Sequence, residues 1–212
     1  MTRAFDTDSD PSPADDAARP SITDDAVTAL SRGEAVVYPT ETVYGLAASA
    51  TDADAVSRLF ELKGRDRSKP ISVAFPDLDT ARRYTNPTAR EHAFMEAFLP
   101  GPVTVLVDRG DDLPAVVNAG NQRVGVRVPD CSLARELARR AGPITATSAN
   151  ESGSPSVRTP DALSSALLAN VAVVIDAGET PGTESSVVDV ASETIHRRGA
   201  LVDEIETWFA TH

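Results

Sequence analysis

The densest group of positive charge in the sequence is the segment from Lys63 to Lys69, which reads KGRDRSK. It holds both lysines of the chain, together with Arg65 and Arg67. Four cations within seven residues repel one another unless an anion joins them. An arginine can bind two phosphate oxygens at once and a lysine supplies a mobile point charge, so the segment predicts a polyphosphate site. The alternative is a basic loop that only faces solvent.

Hydroxyl groups are concentrated in residues 38–46, YPTETVYGL, directly after a short apolar strand. Ligands of α/β proteins commonly bind where strands end. The hydroxyls of threonine and tyrosine can hydrogen-bond a small polar ligand there. The pattern therefore predicts a ligand pocket, although an ordinary turn with a capping threonine would have the same sequence.

Two further apolar strands carry polar groups that need a partner. Arg127 lies inside VGVRVP, residues 124–129, and a buried guanidinium needs an anion, either an internal carboxylate or a substrate carboxylate. The turn TSANESG, residues 147–153, favours recognition of phosphate or ribose through its Ser, Asn and backbone N–H groups. A nucleophilic serine is the rival interpretation of that turn, but the GxSxG elbow is absent.

Three weaker segments also place polar groups beside predicted strands. PGP at residues 100–102 fixes a rigid turn, for which a structural role is favoured. ESSVVD at 184–189 and IHRRGA at 195–200 lie at strand edges and indicate little alone. The phosphate-binding patterns GxxxxGK[ST] and GxGxxG do not occur in the sequence.

The chain is strongly acidic, with 212 residues, a formal net charge of −12 and a pI near 4.6. Such a surface repels nucleic acid, so only weak autonomous RNA binding, or none, is expected. Many Asp and Glu with only two lysines are typical of proteins from salt-adapted microbes. The single cysteine, Cys131, excludes an internal disulfide and a cysteine metal cluster. Without a signal-peptide pattern or an apolar run of eighteen residues, a cytoplasmic protein without membrane contact is expected.

The order of predicted elements indicates a mixed α/β sheet, because several strands adjoin without a helix between them. Residues 1–20 predict a disordered acidic tail and residues 21–212 a single domain. Helices are predicted at 21–31, 52–62, 78–84, 87–98, 133–141, 160–168 and 203–210. Strands are predicted at 35–38, 71–75, 103–107, 125–128, 144–147, 171–176, 186–190 and 193–197.

In this order, the seven segments closely resemble the YrdC family of threonylcarbamoyl-AMP synthases. The family patterns are YPTET-YGL, K-R followed by K-P, PGP-T, a VRVP-like strand, S-AN-SG, STVVD and LRPG. The resemblance covers about residues 21–200 and implies a twisted α/β sheet around a large basic cavity. It implies that L-threonine, bicarbonate and ATP give L-threonylcarbamoyladenylate and pyrophosphate. A separate transferase would then modify a tRNA adenosine beside the anticodon.

The resemblance also implies roles for residues of this chain. L-Threonine would be bound by Thr40, Thr42, Tyr44, Arg127, Ser148 and Ser185. ATP would be bound by Lys63, Arg65, Lys69, Asn150 and Arg197. Lys63 and Arg65 would also be catalytic, because they would stabilise the charge that develops on pyrophosphate. Mg²⁺ would accompany the triphosphate, with no dedicated protein cage.

The sequence departs from the family pattern at several positions. Arg198 replaces a proline, Ser186 replaces a threonine, and the common SPT reads SVR, with Arg158 as its last residue. Arg158 could add a phosphate contact or displace one. Ala74 lies where some relatives have a histidine near threonine, and Arg67 has no implied role. Longer relatives add a C-terminal domain and a linker over the active site, so this site would need another cover or none.

Two other functions fit part of the pattern. A module that binds tRNA or double-stranded RNA would suit a basic cavity, but the low pI argues against it. A carbamoyltransferase partner domain, as in hydrogenase maturation proteins, would belong to a much longer chain with zinc-finger cysteines, which this sequence lacks.

Overall fold

The computed structural model describes residues 22–212, so the predicted acidic tail lies outside the described residues. The helices are α1 (Asp24–Ser31), α2 (Ala53–Lys63), α3 (Leu78–Tyr84), α4 (Ala89–Phe98), α5 (Ser132–Ala141), α6 (Ser165–Leu168) and α7 (Val202–Thr211), with a 3-10 turn at Pro160–Ala162. The strands are β1 (Val36–Tyr38), β2 (Gly45–Ala47), β3 (Ser72–Ala74), β4 (Thr85–Asn86), β5 (Val103–Arg109), β6 (Arg123–Arg127), β7 (Ile144–Ser148), β8 (Val173–Val174), β9 (Ser186–Asp189) and β10 (Thr194–Arg197).

Local capping signals set the ends of the helices. The hydroxyl of Thr23 accepts the N–H of Ala26 and so starts α1. Thr88 and Glu91 form a reciprocal capping box at the start of α4. Gly64 ends α2 with a φ of 56°, a left-handed conformation that glycine adopts without a Cβ clash. These ends agree with the sequence prediction to within three residues.

The strands form one mixed ten-stranded sheet in the order β10-β9-β5-β6-β3-β7-β2-β1-β8, and β4 pairs with β5 outside that path. Strand β6 is antiparallel to β5 and parallel to β3, while β9 is parallel to β5. The predicted mixed α/β class is therefore confirmed. The sheet brings β6 and β9, which are far apart in sequence, to either side of β5.

Four elements of the structure differ from those predicted from the sequence. Strands β2 and β4 were not predicted, since three and two residues carry too little alternation to recognise. The helix predicted at 160–168 is divided, because the hydroxyl of Ser164 caps a new helix at the N–H of Leu167. The strand predicted at 171–176 shortens to β8, and the chain then continues without regular structure.

Two apolar clusters pack against the sheet. The larger one includes the buried faces of α2, α4 and α7, where the ring of Phe94 meets that of Trp208 at 4.9 Å between centroids. The smaller one packs α1 and α5 against β1 and its neighbours. Across residues 22–212, no helix has the length and apolar character needed to cross a membrane.

Candidate functional site

A cavity of about 770 Å³ lies against the sheet, and β3, β5, β6, β7, β9 and β10 all contribute to its lining. Four arginines line it, namely Arg65, Arg123, Arg127 and Arg197. Two carboxylates, those of Glu184 and Asp189, share the lining with them. The volume lies within the range of about 300–1,000 Å³ that is typical of small-molecule sites.

Arg127 is the centre of one end of this cavity. Its Nη2 donates to Glu41 Oε1 at 2.9 Å and to Thr42 Oγ1 at 2.8 Å, and its Nη1 donates to Ser185 Oγ at 3.4 Å. Of the two partners that the sequence allowed, an internal carboxylate is therefore present. Glu41 does not line the cavity, so it holds Arg127 from behind. The buried Arg127 Nε and Glu41 Oε2 have no partner within residues 22–212.

The threonines after β1 form a directed chain of hydrogen bonds. Thr40 Oγ1 donates to the carbonyl of Val43 at 2.6 Å, so the 2.8 Å contact with Thr42 must be donated by Thr42. Thr42 thus accepts from Arg127 and donates to Thr40. The segment therefore forms a turn capped by Thr40, and the same turn lines the large cavity.

Ser185 links Arg197 to the Arg127 end of the cavity through hydrogen bonds. Arg197 Nη2 donates to Ser185 Oγ at 2.7 Å, and Arg197 Nε donates to the carbonyl of Ser185 at 2.8 Å. Burial lowers the pKa of the Arg197 guanidinium, Glu184 opposes that shift, and Arg127 adds to it. Burial also lowers the pKa of Arg65, with a further contribution from Arg197. The positive charges of Arg65, Arg127 and Arg197 therefore repel one another, and a bound anion would weaken this repulsion.

The four cations of the basic segment have different surroundings, and neither of its lysines lines the large cavity. Lys63 is 2% exposed, lies outside the cavity lining, and donates to the carbonyls of Ser148 and Asn150 at 2.5 Å each. Burial, with a smaller effect of Arg65, lowers the pKa of Lys63 to about 8. Lys69 is exposed and also lies outside the lining.

The two arginines of the segment have different surroundings. Arg65 lines the cavity and is held by the carbonyls of Lys69 and Pro70 at 3.0 and 2.9 Å. Arg67 pairs with Glu61 at 2.9 Å, and both side chains are more than half exposed. Only Arg65 thus keeps the cavity position that the sequence predicted.

The turn after β7 divides its polar groups between two cavities. Ser148 lines the large cavity, and its hydroxyl donates to Asn150 Oδ1. Asn150 instead faces a second cavity of about 480 Å³, and its Nδ2 donates to the carbonyls of Glu151 and Ser154. Asn150 thus lies behind Ser148 as seen from the large cavity, and its predicted contact with ATP stays a prediction.

Tyr44 also lies behind the cavity wall. Its side chain is fully buried, its hydroxyl donates to the carbonyl of Gly178 at 2.8 Å, and it accepts the N–H of Ala177 at 3.0 Å. Tyr44 does not line the large cavity, and its predicted contact with L-threonine stays a prediction. Among the residues without an assigned role, Arg158 pairs with Glu179 and Arg198 pairs with Glu206.

Sequence reasoning missed several residues of the site. Glu41 is one of them, because a buried arginine needs such a carboxylate but the sequence does not show which one pairs with Arg127. Arg123 lines the cavity and pairs with Asp189 at 3.2 Å and with the buried Glu91. The spacing of Arg123 and Arg127 could have revealed it, since residues four apart on a strand lie on one face. His196 also lines the cavity, and no pattern in the sequence indicates it.

The comparisons with known proteins agree on one family. The Sua5/YciO/YrdC family model, described as telomere recombination, matches residues 28–199. The threonylcarbamoyl-AMP synthase of Bacillus subtilis is 37% identical over 185 residues, covering 84% of this chain and 54% of that protein. The chain spans about half the length of each of the first two curated relatives.

Solved structures show the same relationship. The crystal structure of Pyrococcus abyssi Sua5 complexed with L-threonine is 34% identical with a TM-score of 0.81, covering 86% of this chain and 55% of that one. The solution structure of the MTH1692 protein from Methanobacterium thermoautotrophicum is 38% identical with a TM-score of 0.65, covering 90% and 88%. The chain belongs to the Sua5/YciO/YrdC family.

Proposed function

We propose that this chain is a threonylcarbamoyl-AMP synthase, which converts L-threonine, bicarbonate and ATP into L-threonylcarbamoyl-AMP, pyrophosphate and water. The observation that carries the proposal is the convergence of Arg127, Thr42 and Ser185 at one end of a cavity that Arg65 and Arg197 also line. A carboxylate-binding end beside further guanidinium groups suits an amino acid next to a polyphosphate. The P. abyssi relative, whose structure contains L-threonine, supports the same assignment.

L-Threonine would lie at the Arg127 end. Arg127 would pair with its carboxylate, while the hydroxyls of Thr40, Thr42, Ser148 and Ser185 would bind its remaining polar groups. The hydroxyl chain from Thr42 to Thr40 has a fixed direction, which favours one orientation of the ligand.

ATP would extend from there towards Arg65 and Arg197, whose mutual repulsion its phosphates would relieve. Lys63 would act indirectly, by holding the carbonyls of the turn that presents Ser148. Asn150 would orient the Ser148 hydroxyl, and Lys69 would contribute only long-range charge from the exposed side of its loop.

The chemistry requires positioning and electrostatic stabilisation. The threonine amine attacks the carbon of bicarbonate, water leaves, and an oxygen of the resulting carbamate attacks the α-phosphorus of ATP. The bond from the α-phosphorus to the bridging oxygen breaks, and pyrophosphate departs with the electron pair. Arg65 and Arg197 would stabilise the charge that develops on pyrophosphate, and no covalent enzyme intermediate is required.

Magnesium would be held mainly by the nucleotide. Within residues 22–212, no group of three His, Cys, Asp or Glu side chains could hold a metal ion. The cavity carboxylates Glu184 and Asp189 face Arg197 and Arg123 respectively. Mg²⁺ would therefore enter with the triphosphate and neutralise part of its charge.

We propose further that the product passes to a separate transferase that modifies tRNA, in the cytoplasm. Threonylcarbamoyl-AMP is a mixed anhydride, so a direct transfer would limit its hydrolysis. A net charge of −12 disfavours tight autonomous binding of tRNA. Tight RNA binding at low salt, without ATP turnover, would instead favour an RNA-binding module.

The assay that tests the proposal is release of pyrophosphate by the purified protein in high salt. We expect release to require L-threonine, bicarbonate and ATP together, and the product to be identified as L-threonylcarbamoyl-AMP by mass spectrometry. Arg127→Gln should abolish release, while Arg67→Gln, in an exposed ion pair, serves as the matched control. Release that needs neither threonine nor bicarbonate would exclude the proposed reaction.

A further inference from the structure

Residues 175–185, which we call the crossing segment, connect the two ends of the sheet without any helix or strand. The segment leaves β8 at one edge and enters β9, which is second from the other edge. Seven inter-strand steps of about 4.8 Å separate these strands, up to about 34 Å on a flat sheet. The twelve residue steps from Val174 to Ser186 span at most about 40 Å. The segment can therefore bridge these strands, and its course depends on the hydrogen bonds that hold it along the way.

The far end of the crossing segment contributes directly to the cavity. Glu184 and Ser185 are its last two residues, and both line the large cavity. Ser185 is 2% exposed and receives hydrogen bonds from Arg127 and Arg197. The course of the segment thus decides where a cavity hydroxyl lies relative to two arginines.

The turn after β1 anchors this segment at two points, and Arg158 holds Thr180 between them through hydrogen bonds to its backbone. The Tyr44 hydroxyl bonds the segment near its start, through the N–H of Ala177 and the carbonyl of Gly178. The carbonyl of Thr42 accepts the N–H of Gly182 at 2.7 Å, near its end. The turn that supplies Thr42 to the cavity therefore also holds the chain that supplies Ser185.

Tyr44 is well suited to act as a fixed clamp. Its ring is fully buried, and its hydroxyl accepts the N–H of one residue and donates to the carbonyl of the next, Ala177 and Gly178. Burial raises the pKa of the Tyr44 hydroxyl, so the proton that it donates to Gly178 is retained well into the alkaline range. A phenylalanine would keep the packing and lose both hydrogen bonds.

We propose that Tyr44 is a positioning residue, which clamps the crossing segment and thereby holds Ser185 against Arg127 and Arg197. Its role as a substrate-affinity determinant rests on the proposed function, whereas the clamp itself does not. Tyr44 acts through Ser185 and does not touch the substrate.

The test combines hydrogen exchange with kinetics on the full chain. In Tyr44→Phe, amide exchange in peptides covering 175–185 should accelerate on the order of tenfold, while peptides from α4 keep their rate. The KM for L-threonine should rise about fivefold, with kcat within about twofold of the unmodified protein. Tyr84→Phe is the matched control, because Tyr84 is a partly buried tyrosine whose ring packs on Phe75 and which makes no hydrogen bond to residues 175–185, and both readouts should stay unchanged.

A second variant perturbs the other anchor without altering Tyr44. Gly182 has a φ of 93°, which L residues rarely adopt, so Gly182→Ala strains the segment at this residue, and the added Cβ, 2.7 Å from the Arg158 side chain, pushes that side chain aside. It should reproduce the rise in KM and in local exchange. Gly142→Ala, with a φ of 85° and open space around the added Cβ, controls for backbone strain elsewhere.

Three results would overturn the proposal. These are unchanged exchange over 175–185 in both variants, faster exchange spread evenly over the chain, and a fall in kcat with an unchanged KM in Tyr44→Phe. The last would mean that the hydroxyl acts in the chemistry itself. If the unmodified protein releases no threonine-dependent pyrophosphate, the proposed function fails, and the exchange data alone decide whether Tyr44 is the clamp.

Discussion

The segment from Lys63 to Lys69 and the arginines of the strands differ in how they use positive charge. The segment holds four cations in seven residues, yet only Arg65 lines the large cavity. Lys63 is buried behind the cavity wall, and Arg67 and Lys69 are exposed. Charge that is dense in the sequence is therefore dispersed in space.

The strand arginines show the opposite behaviour. Arg123, Arg127 and Arg197 come from β6 and β10, far apart in sequence, and all line one cavity. A sheet collects side chains in this way because alternate residues of each strand lie on one face. A loop has no such period, so neighbouring side chains diverge. The affinity for an anion should therefore depend on the strand arginines more than on the lysines.

The largest expected effect comes from Arg127→Ala. It should lower kcat/KM for L-threonine by at least about a hundredfold, since it removes the proposed carboxylate partner. It should also lower the free energy of unfolding by about 3 kcal/mol, because Glu41 would remain largely buried without its partner. Kinetics and urea denaturation measure the two effects.

The double variant Glu41→Ala/Arg127→Ala separates these two losses. Removing the orphaned carboxylate should restore part of the stability and none of the activity. Arg67→Ala, which breaks an exposed pair with Glu61, should change the free energy of unfolding by less than about 0.5 kcal/mol. An Arg127→Ala protein with ordinary threonine kinetics would place the amino acid elsewhere.

The next effect compares the two lysines. Lys63→Met keeps the length of the side chain but withdraws the amine from the carbonyls of Ser148 and Asn150, so the turn that presents Ser148 loses its support. We expect kcat/KM to fall about thirtyfold. Lys69→Met should cost less than about threefold, because Lys69 is exposed and lies outside the cavity lining. Equal losses of kcat/KM in the two variants would instead indicate that both lysines bind phosphate at one site.

The sequence predicted features that rest on local or ordered signals. Caps, apolar periodicity and the ordered motifs predicted the helices, the mixed sheet and the family, and the apolar surroundings of Arg127 predicted its need for an anion. The sequence does not identify Glu41 as that anion, because Glu41 and Arg127 are 86 residues apart and only the fold brings them into contact. The inward course of Lys63 and the clamp at Tyr44 likewise depend on chain segments that only the folded sheet brings together.

The smallest expected effect is a pH dependence that only the buried lysine produces. Burial lowers the pKa of Lys63 to about 8 in the folded protein, whereas the unfolded chain has a pKa near the ordinary 10.5. Between these values the unfolded state binds more protons, so the contribution of Lys63 to stability rises with pH. From pH 8 to 9.5 the rise should be about 1.5 kcal/mol. A neutral amine keeps two N–H donors, enough for both carbonyls, so deprotonation need not break the turn.

Urea denaturation of the unmodified protein and of Lys63→Met from pH 8 to 9.5 isolates the effect of Lys63, since all other groups titrate in both proteins. A difference between the two proteins that stays constant with pH would show that the pKa of Lys63 is the same in the folded and the unfolded protein.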